Sequence, residues 1–183
     1  MSAGHTPVLT EEVMHWLRVK PEGTYLDATL GLGGHSFEIA RRLTTGRLIG
    51  LDRDEQALEI ARQRLQEFGE KVTLVHADFS RVQELAGEMN WPPLDGVLAD
   101  LGVSSLQLDT GERGFSFRQA GPLDMRMDLQ GGTTAGEIVN FTAESELADL
   151  LYRLGEEHDS RRIARVIVRA RPIRDTEHLA KVV

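Results

Sequence analysis

The stretch that most constrains this chain is TYLDATLGLGGHSFEIARRL, which spans residues 24–43. An apolar run stops at the carboxylate of Asp27, a glycine cluster follows, and apolar residues then recur at helical spacing. This order predicts a strand, a tight turn and a helix. In open α/β sheets such a turn lies at the carboxyl end of a strand, where nucleotide-type ligands bind.

The same pattern continues along the first half of the chain. Further apolar segments that predict strands cover residues 47–54, 71–78 and 94–102. The segments between them have helical spacing, and the strands are apolar along most of their length. This alternation predicts an α/β fold with a parallel sheet and helices on both faces. Asp27, Asp52 and Asp100 then lie at strand ends.

Local signals also predict where helices begin and end. Thr10 and Asp54 have side chains typical of N-caps, and Ser80 with Gln83 has the spacing of a capping box. Gly69 predicts the end of the helix that follows the second strand.

The pattern changes after residue 102. Residues 103–141 are rich in Gly, Asp, Arg and Met without a clear period, which is typical of a long loop that is either functional or disordered. Helical spacing resumes over 142–183, where six arginines and no acid lie between Arg161 and Arg174. We predict a cofactor-binding core over 1–102, a substrate loop region over 103–141 and a partial helical subdomain over 142–183.

Composition limits the classes of protein to consider. The chain has 183 residues, a net charge of −8 and no cysteine, which excludes disulfides and thiolate zinc sites. The histidines show no spacing typical of metal ligands, so we expect no metal. The start of the sequence has neither the basic nor the apolar segment of a signal peptide. We therefore expect a cytoplasmic protein without a membrane association, and its oligomeric state stays open.

The glycine turn discriminates between nucleotide-type ligands. Gly31, Gly33 and Gly34 form G-x-G-G, and Ser36 occupies the third glycine position of a dinucleotide turn. The G-K-[ST] of a phosphate-binding loop is absent. The turn favours S-adenosylmethionine, and Asp52 is placed to accept hydrogen bonds from its ribose hydroxyls. An NAD-dependent oxidoreductase remains an alternative.

Several acids and His35 also have simpler interpretations. Asp27 could merely hold the amides of the glycine turn, and His35 could cap the helix that starts there. Asp100 follows the fourth strand in ADLGVSSLQLD, where many amine methyltransferases have an Asn/Asp-Pro-Pro-aromatic tetrad that this chain lacks. Asp100 could contact the cofactor, accept a proton from the attacked amine, or cap the following turn.

Several motifs occur in a fixed order along the chain: HTPVL (5–9), DATLGLGGHS (27–36), DRD (52–54), DLGVSS with QLD (100–109), RGFSF (113–117) and PLDMRMD (122–128). Together they resemble the bacterial 16S ribosomal RNA cytosine-N4 methyltransferase family. The resemblance implies a class I Rossmann-like methyltransferase core with a parallel sheet and an inserted helical subdomain. It also implies methyl transfer to the N4 amine of a cytosine in the decoding region of small-subunit RNA.

The resemblance also implies site residues. Cofactor contacts then fall on Gly33, Gly34, His35, Asp52, Phe79, Asp100 and Gln107. The partner is 16S rRNA or the small ribosomal subunit. For the proton acceptor, Asp100 is the first candidate and Asp124 the second.

Two groups of side chains are candidates for contact with RNA. Phe115 and Phe117 could stack on an exposed base, or they could simply pack into the core. Arg162, Arg165 and Arg169 share one helix face and could hold phosphates, or they could form an ordinary solvated face.

The resemblance has one departure, because proteins of this family continue well beyond the point that matches residue 183. A fragment or a truncated form would expose one sheet edge, and we expect it to bind cofactor but to methylate poorly. The alternative function is therefore a non-catalytic module that binds cofactor or RNA.

Overall fold

The structure is a computed structural model that describes residues 8–183. The chain forms two compact units, one that ends at Gly102 and one that comprises Val103–Val183. The motif HTPVL begins at residue 5, so its first three residues lie outside the described part.

The first unit is built around a parallel sheet of four strands in the order β3-β2-β1-β4. The strands are β1 (Thr24–Asp27), β2 (Arg47–Asp52), β3 (Val72–His76) and β4 (Gly96–Leu98). The helices are α1 (Thr10–Leu17), α2 (Gly34–Ala40), α3 (Glu55–Leu65) and α4 (Val82–Glu88), with 3₁₀ turns at Gln66–Lys71 and Phe79–Arg81. The predicted α/β fold with a parallel sheet is confirmed.

The order of the strands creates a switch point beside β1. Leu26 lies opposite Ile49 of β2 on one side and opposite Val97 of β4 on the other. The chain winds from β1 through β2 to β3 and then returns to place β4 on the far side of β1. In sheets of this kind, ligands bind in a crevice at such a point, which here is the carboxyl ends of β1 and β4.

Buried side chains lie on both faces of the sheet. Tyr25 packs with Ile39 of α2 on one face, while the next residue, Leu26, packs with Leu85 of α4 on the other. Because successive side chains of a strand point to opposite faces, this confirms the prediction of a sheet covered on both sides.

The helix ends agree only in part with the predictions. Asp54 is the N-cap of α3, as predicted, and its side chain accepts a hydrogen bond from the amide of Gln56. Thr10 is wrong as an N-cap, because Leu9 holds that position in a left-handed conformation. The predicted helix end at Gly69 is also wrong, because α3 ends at Leu65 and a 3₁₀ turn follows over Gln66–Lys71.

The predicted capping box of Ser80 and Gln83 is wrong as well. Asp78 accepts a hydrogen bond from the amide of Ser80 and thereby starts a short 3₁₀ turn. The helix α4 begins only at Val82, after that turn. The carboxylate of Asp78 therefore accepts from the amide of Ser80, which would have donated to the Gln83 side chain in the predicted capping box.

The second unit is helical, with α5 (Ser105–Asp109), α6 (Ala135–Phe141), α7 (Glu144–Gly155), α8 (Ser160–Ala170) and α9 (Thr176–Val182). Sequence periodicity did not predict α6, although Thr134 and Glu137 form its capping box. Leu123 and Val139 share one core with the buried faces of α7 and α8. Residues on both sides of position 141 therefore pack in the same core. Among the described helices, none is long and apolar enough to cross a bilayer.

Candidate active site

The glycine turn connects β1 to α2 and needs its glycines for conformational reasons. Gly31 and Gly33 have φ angles of 52° and 74°, in the left-handed region. A Cβ on Gly33 would also lie 3.3 Å from the side chains of Ala61 and Leu65 in α3. Gly33 therefore permits both the turn and the close approach of α3. Gly34 follows it as the first residue of α2.

Asp52, at the end of β2, is joined directly to this turn. Its Oδ2 accepts a hydrogen bond from the amide of Gly31 at 2.7 Å, and its Oδ1 accepts one from the amide of Asp54 at 2.9 Å. Burial raises the pKa of Asp52, and the amide hydrogen bonds partly oppose this shift. Each oxygen of a carboxylate has a second lone pair, so Asp52 can hold the turn and still accept from a ligand hydroxyl.

Asp27 supports the turn from inside the protein. Its side chain is buried, with Oδ1 accepting from the amide of Thr29 at 3.2 Å and Oδ2 accepting from Ser36 Oγ at 2.8 Å. Ser36, which replaces the third glycine of a dinucleotide turn, is thus a buried partner of Asp27. The simpler interpretation of Asp27 as a support of the turn fits these contacts, although no glycine amide takes part in them.

Asp27 should make folding stability depend on pH. Burial raises its pKa to about 6, although the Ser36 hydrogen bond opposes the shift. The unfolded chain has an ordinary carboxyl pKa of about 4. The folded state therefore binds more protons between these values, and the contribution of Asp27 to stability falls as pH rises from about 4 to about 6, by roughly 1–3 kcal/mol.

Asp27→Asn should remove that part of the pH dependence, because an amide stays neutral. Urea unfolding at a series of pH values measures it, with the exposed Asp149→Asn as the matched control. If Asp27→Asn and the control show the same dependence on pH, the carboxyl does not titrate as described.

His35 and Asp100 meet at the switch point. His35 is 8% exposed, its Nε2 lies 3.9 Å from Asp100 Oδ2, and its buried Nδ1 has no hydrogen-bond partner among the described residues. Burial lowers the pKa of His35, and the charge of Asp100 only partly opposes this. A neutral imidazole at this distance forms neither an ion pair nor a hydrogen bond with Asp100. Its unsatisfied nitrogen is one of the polar atoms that a ligand in the crevice could contact.

Phe79 lies at the carboxyl end of β3, where the 3₁₀ turn begins. Phe79 is 47% exposed, so it is not a packed core residue. Asp78, beside it, is bonded to the amide of Ser80 and to Arg53 at 3.1 Å, and these contacts fix the turn. The contact of Phe79 with a cofactor stays a prediction.

Six of the seven predicted cofactor residues thus belong to the first unit: Gly33, Gly34, His35, Asp52, Phe79 and Asp100. Gln107 belongs to the second unit and is buried in α5. Its Oε1 accepts from the amide of Ser104 at 3.0 Å, and its own amide donates to Ser104 Oγ at 3.2 Å. This capping box gives Gln107 a local structural role, and its contact with a cofactor stays a prediction.

Asp124 is a poor proton acceptor in this structure. Arg126 donates to both of its oxygens, from Nε at 3.0 Å and from Nη2 at 2.8 Å. These hydrogen bonds hold the pKa of Asp124 below its usual range. A carboxylate held in this way has little tendency to take a proton, so the geometry favours Asp100, whose carboxylate is 63% exposed.

Arg113 was not predicted as a site residue, yet it organises the loop that contains Asp124. Its guanidinium is buried and donates to the carbonyls of Arg126 and Met127, both at 3.0 Å. The amide of Met125 donates back to the Arg113 carbonyl at 2.9 Å. These bonds join the motifs RGFSF and PLDMRMD into one piece of structure. A buried arginine within a loop rarely gives a periodic signal, so sequence periodicity could not identify it.

The aromatic candidates differ in exposure. Phe117 is 73% exposed, whereas Phe115 is half-buried. Phe117 is therefore free to meet a base, while Phe115 is partly packed within its own unit.

The arginine candidates lie on the exposed side of α8. Arg162, Arg165 and Arg169 are exposed, while Ala164 and Ile167 face the core. Arg165 Nε lies 3.5 Å from Glu144 Oε1 of α7, so one of the three already has an acidic neighbour. A shallow cavity of about 490 Å³ lies here, lined by Arg161, Arg165, Glu144, Ser145, Ala148 and Asp149.

One arginine of the basic run is structural. Arg171 donates from Nε to the carbonyl of Val139 at 2.7 Å and from Nη2 to the carbonyl of Thr142 at 2.6 Å. These carbonyls lie at the end of α6, and a guanidinium there satisfies groups that helix termini leave unpaired.

Among the described residues, no cluster of three His, Cys, Asp or Glu side chains could hold a metal ion.

The strand order and the glycine turn at the switch point place the first unit in the Rossmann-like class of α/β folds. The profile of the MraW methylase family matches residues 2–183. The chain belongs to the MraW methylase family. The family resemblance predicted from the motifs is therefore confirmed.

Individual relatives agree with this assignment. Ribosomal RNA small subunit methyltransferase H of Koribacter versatilis is 54% identical over 187 residues, which cover 98% of this chain and 59% of that protein. The protein of the same name from Solibacter usitatus is 52% identical over 179 residues, which cover 98% of this chain and 63% of its own length. The chain thus spans about three fifths of these curated relatives.

Among solved structures, a SAM-dependent O-methyltransferase from Thermotoga maritima aligns with a TM-score of 0.44 and 19% identity. The alignment covers 55% of this chain and 38% of that chain.

Proposed function

We propose that this protein uses S-adenosylmethionine to methylate the N4 amine of a cytosine in 16S ribosomal RNA of the small subunit. The observation that carries the proposal is the hydrogen bond from the Gly31 amide to Asp52 at 2.7 Å, which joins the glycine turn to an acid at the next strand end. In a chain of the MraW methylase family, that pairing supports a cofactor with a ribose and an amino-acid end.

The residues at the switch point suit this cofactor. Asp52 offers acceptor lone pairs to the ribose hydroxyls, and Phe79 offers an exposed ring to the adenine. His35 offers a buried nitrogen without a partner among the described residues. The positive backbone φ angles of the turn allow the main chain to approach a ligand closely. When bound, the cofactor supplies a methyl group activated by its sulfonium.

The protein must then align the amine and remove its proton. We assign proton acceptance to Asp100, because its carboxylate is exposed at the carboxyl end of β4, whereas Arg126 occupies both oxygens of Asp124. A cytosine must leave its stack before its amine can reach such a site. Phe117, with its exposed side chain, is our candidate to stack on an exposed base of the RNA.

We infer that the two units divide these tasks. The unit that ends at Gly102 would bind the cofactor, and residues 103–183 would contact the RNA through Phe117 and the α8 arginines. We also place the protein in the cytoplasm, because ribosomal RNA is modified there and the sequence has no cysteine to suit an oxidising compartment.

Two measurements test the proposal in order. Calorimetric titration with S-adenosylmethionine should show binding, and titration with NAD should show none. Binding of NAD without binding of S-adenosylmethionine would contradict the proposal and favour the alternative of an NAD-dependent oxidoreductase. Radiolabelled methyl transfer should then appear in 16S RNA, either free or in assembled small subunits, and cytosine should carry the label.

The transfer assay also separates an enzyme from a binding module. Cofactor binding without any label in RNA or subunits would favour the non-catalytic module. Label in another base or in protein would contradict the proposed substrate. Glu67→Gln, exposed in the first unit and not in the unit of the α8 arginines, is a suitable control for nonspecific effects of removing a carboxylate.

A further inference from the structure

Thr29 lies between Asp27 and the glycine turn, on the segment that leaves β1. Its Oγ1 accepts a hydrogen bond from the backbone amide of Asp100 at 2.6 Å. The two residues are 71 positions apart in the sequence. This bond therefore connects the loop after β1 to the loop after β4, across the switch point of the sheet.

The bond continues a series that begins in α2. Ser36 Oγ donates to Asp27 Oδ2 at 2.8 Å, and the amide of Thr29 donates to Asp27 Oδ1 at 3.2 Å. On the sheet itself, the amide of Ala28 donates to the carbonyl of Leu98 at 2.8 Å. After Leu98, the partner is a side chain and not the backbone of a strand. Thr29 Oγ1 accepts the hydrogen bond from the amide of Asp100 in the next loop.

Asp100 depends on this support because its own side chain has little. Among the described residues, no hydrogen bond fixes its carboxylate, and the contact with His35 Nε2 is 3.9 Å long. The position of the carboxylate is therefore set by where the main chain is held. The hydrogen bond from the Asp100 amide to Thr29 Oγ1 is the contact that holds the main chain there.

We propose that Thr29 is a positioning residue for Asp100, acting through the hydrogen bond to its amide. The inference rests on the proposed function, in which Asp100 accepts the proton of the amine, and on the predicted contact of Asp100 with the cofactor. Alignment matters for such a group, because a misplacement of about 1 Å can reduce a rate by about a hundredfold. Thr29 touches neither partner of the reaction in this assignment.

The first test measures the bond without any ligand. Thr29→Val removes the acceptor and keeps the shape, so hydrogen exchange at the Asp100 amide should become about tenfold faster by NMR. Thr29→Ser keeps the hydroxyl and should restore slow exchange. Thr73→Val, at an exposed position of β3, is the matched control and should leave Asp100 unchanged. Unchanged exchange in Thr29→Val would overturn the proposal.

The second test asks whether Thr29 acts through Asp100. In the otherwise unaltered chain, Thr29→Val should weaken the binding of S-adenosylmethionine about fivefold. When Asp100→Ala is already present, Thr29→Val should have almost no effect on that binding. Equal weakening in both backgrounds would mean a generally loosened turn and would overturn the proposal. Should Thr29→Val fail to fold, Thr29→Ala carries the same comparison.

The two tests separate this inference from the proposed function. If the unaltered chain does not bind S-adenosylmethionine, the proposed function fails, while the exchange rate of the Asp100 amide still decides whether Thr29 holds it. If the cofactor binds and the exchange rate does not respond to Thr29→Val, only the positioning role fails.

Discussion

Replacing Arg162, Arg165 and Arg169 together by glutamine is expected to weaken RNA binding about a hundredfold at about 0.1 M salt. The three side chains are exposed along α8, and each phosphate contact releases a counterion when it forms. The slope of log affinity against log salt should therefore become shallower by about two to three units. Fluorescence anisotropy with a labelled fragment of 16S RNA at several salt concentrations measures both quantities.

The control for this experiment must remove the same charge elsewhere. Arg41, Arg47 and Arg62 are exposed in the first unit and serve as a matched triple replacement. Affinity for S-adenosylmethionine should stay the same in both triple variants. If the slope of log affinity against log salt is the same in the α8 variant and in the unaltered chain, these arginines do not bind phosphates and form an ordinary solvated face.

Glu144 provides a complementary test of the same surface. Its carboxylate lies 3.5 Å from Arg165 and competes with any phosphate for that guanidinium. Glu144→Gln should therefore strengthen RNA binding by about twofold to fivefold at low salt, and the gain should disappear as salt is added. A loss of affinity in this variant would place the RNA elsewhere.

Asp52→Ala is expected to weaken binding of S-adenosylmethionine by at least about tenfold. The change removes a charged acceptor for the ribose hydroxyls, and losing hydrogen bonds to a charged group costs roughly 1.5–3 kcal/mol. It also releases the amide of Gly31, so the turn itself loses a support. Titration calorimetry measures the dissociation constant, and an unchanged value would contradict the assignment of Asp52 to the cofactor.

A second variant distinguishes the two effects of Asp52. Asp52→Asn retains one oxygen that can accept from Gly31 but loses the charge, so it should fall between the unaltered chain and Asp52→Ala. Glu67→Ala, an exposed carboxylate in the same unit, should not change the affinity. Thermal unfolding of each variant would show whether the turn has been damaged.

Much of the first unit follows from local patterns in the sequence. Apolar strands that alternate with helical spacing determine a parallel sheet covered on both faces, because each element must bury its apolar surface. The glycine turn follows from the same logic, since the conformations of Gly31 and Gly33 disfavour other residues. The cap at Asp54 needed only a carboxylate two residues before an amide that lacked a partner.

Contacts between distant residues required the tertiary structure. The sequence marks Asp100 as an acid at a strand end, but only the order of the strands brings its amide to Thr29, 71 residues away. A local contact also needed the structure. Both Asp100 and Asp124 qualified as proton acceptors by residue type, but Arg126, two positions away, holds both oxygens of Asp124, whereas the side chain of Asp100 is 63% exposed.

The second unit shows the same division. Its long segment without periodicity hid α6, because a helix of seven residues is too short to show clear helical spacing. The arginine run likewise looked uniform in sequence, yet Arg171 binds carbonyls at the end of α6 while Arg162 and Arg169 face solvent. Sequence patterns identified most of the strands and helices and the chemistry of their side chains. The tertiary structure decided which polar groups find partners, because those partners come from residues far apart in the chain.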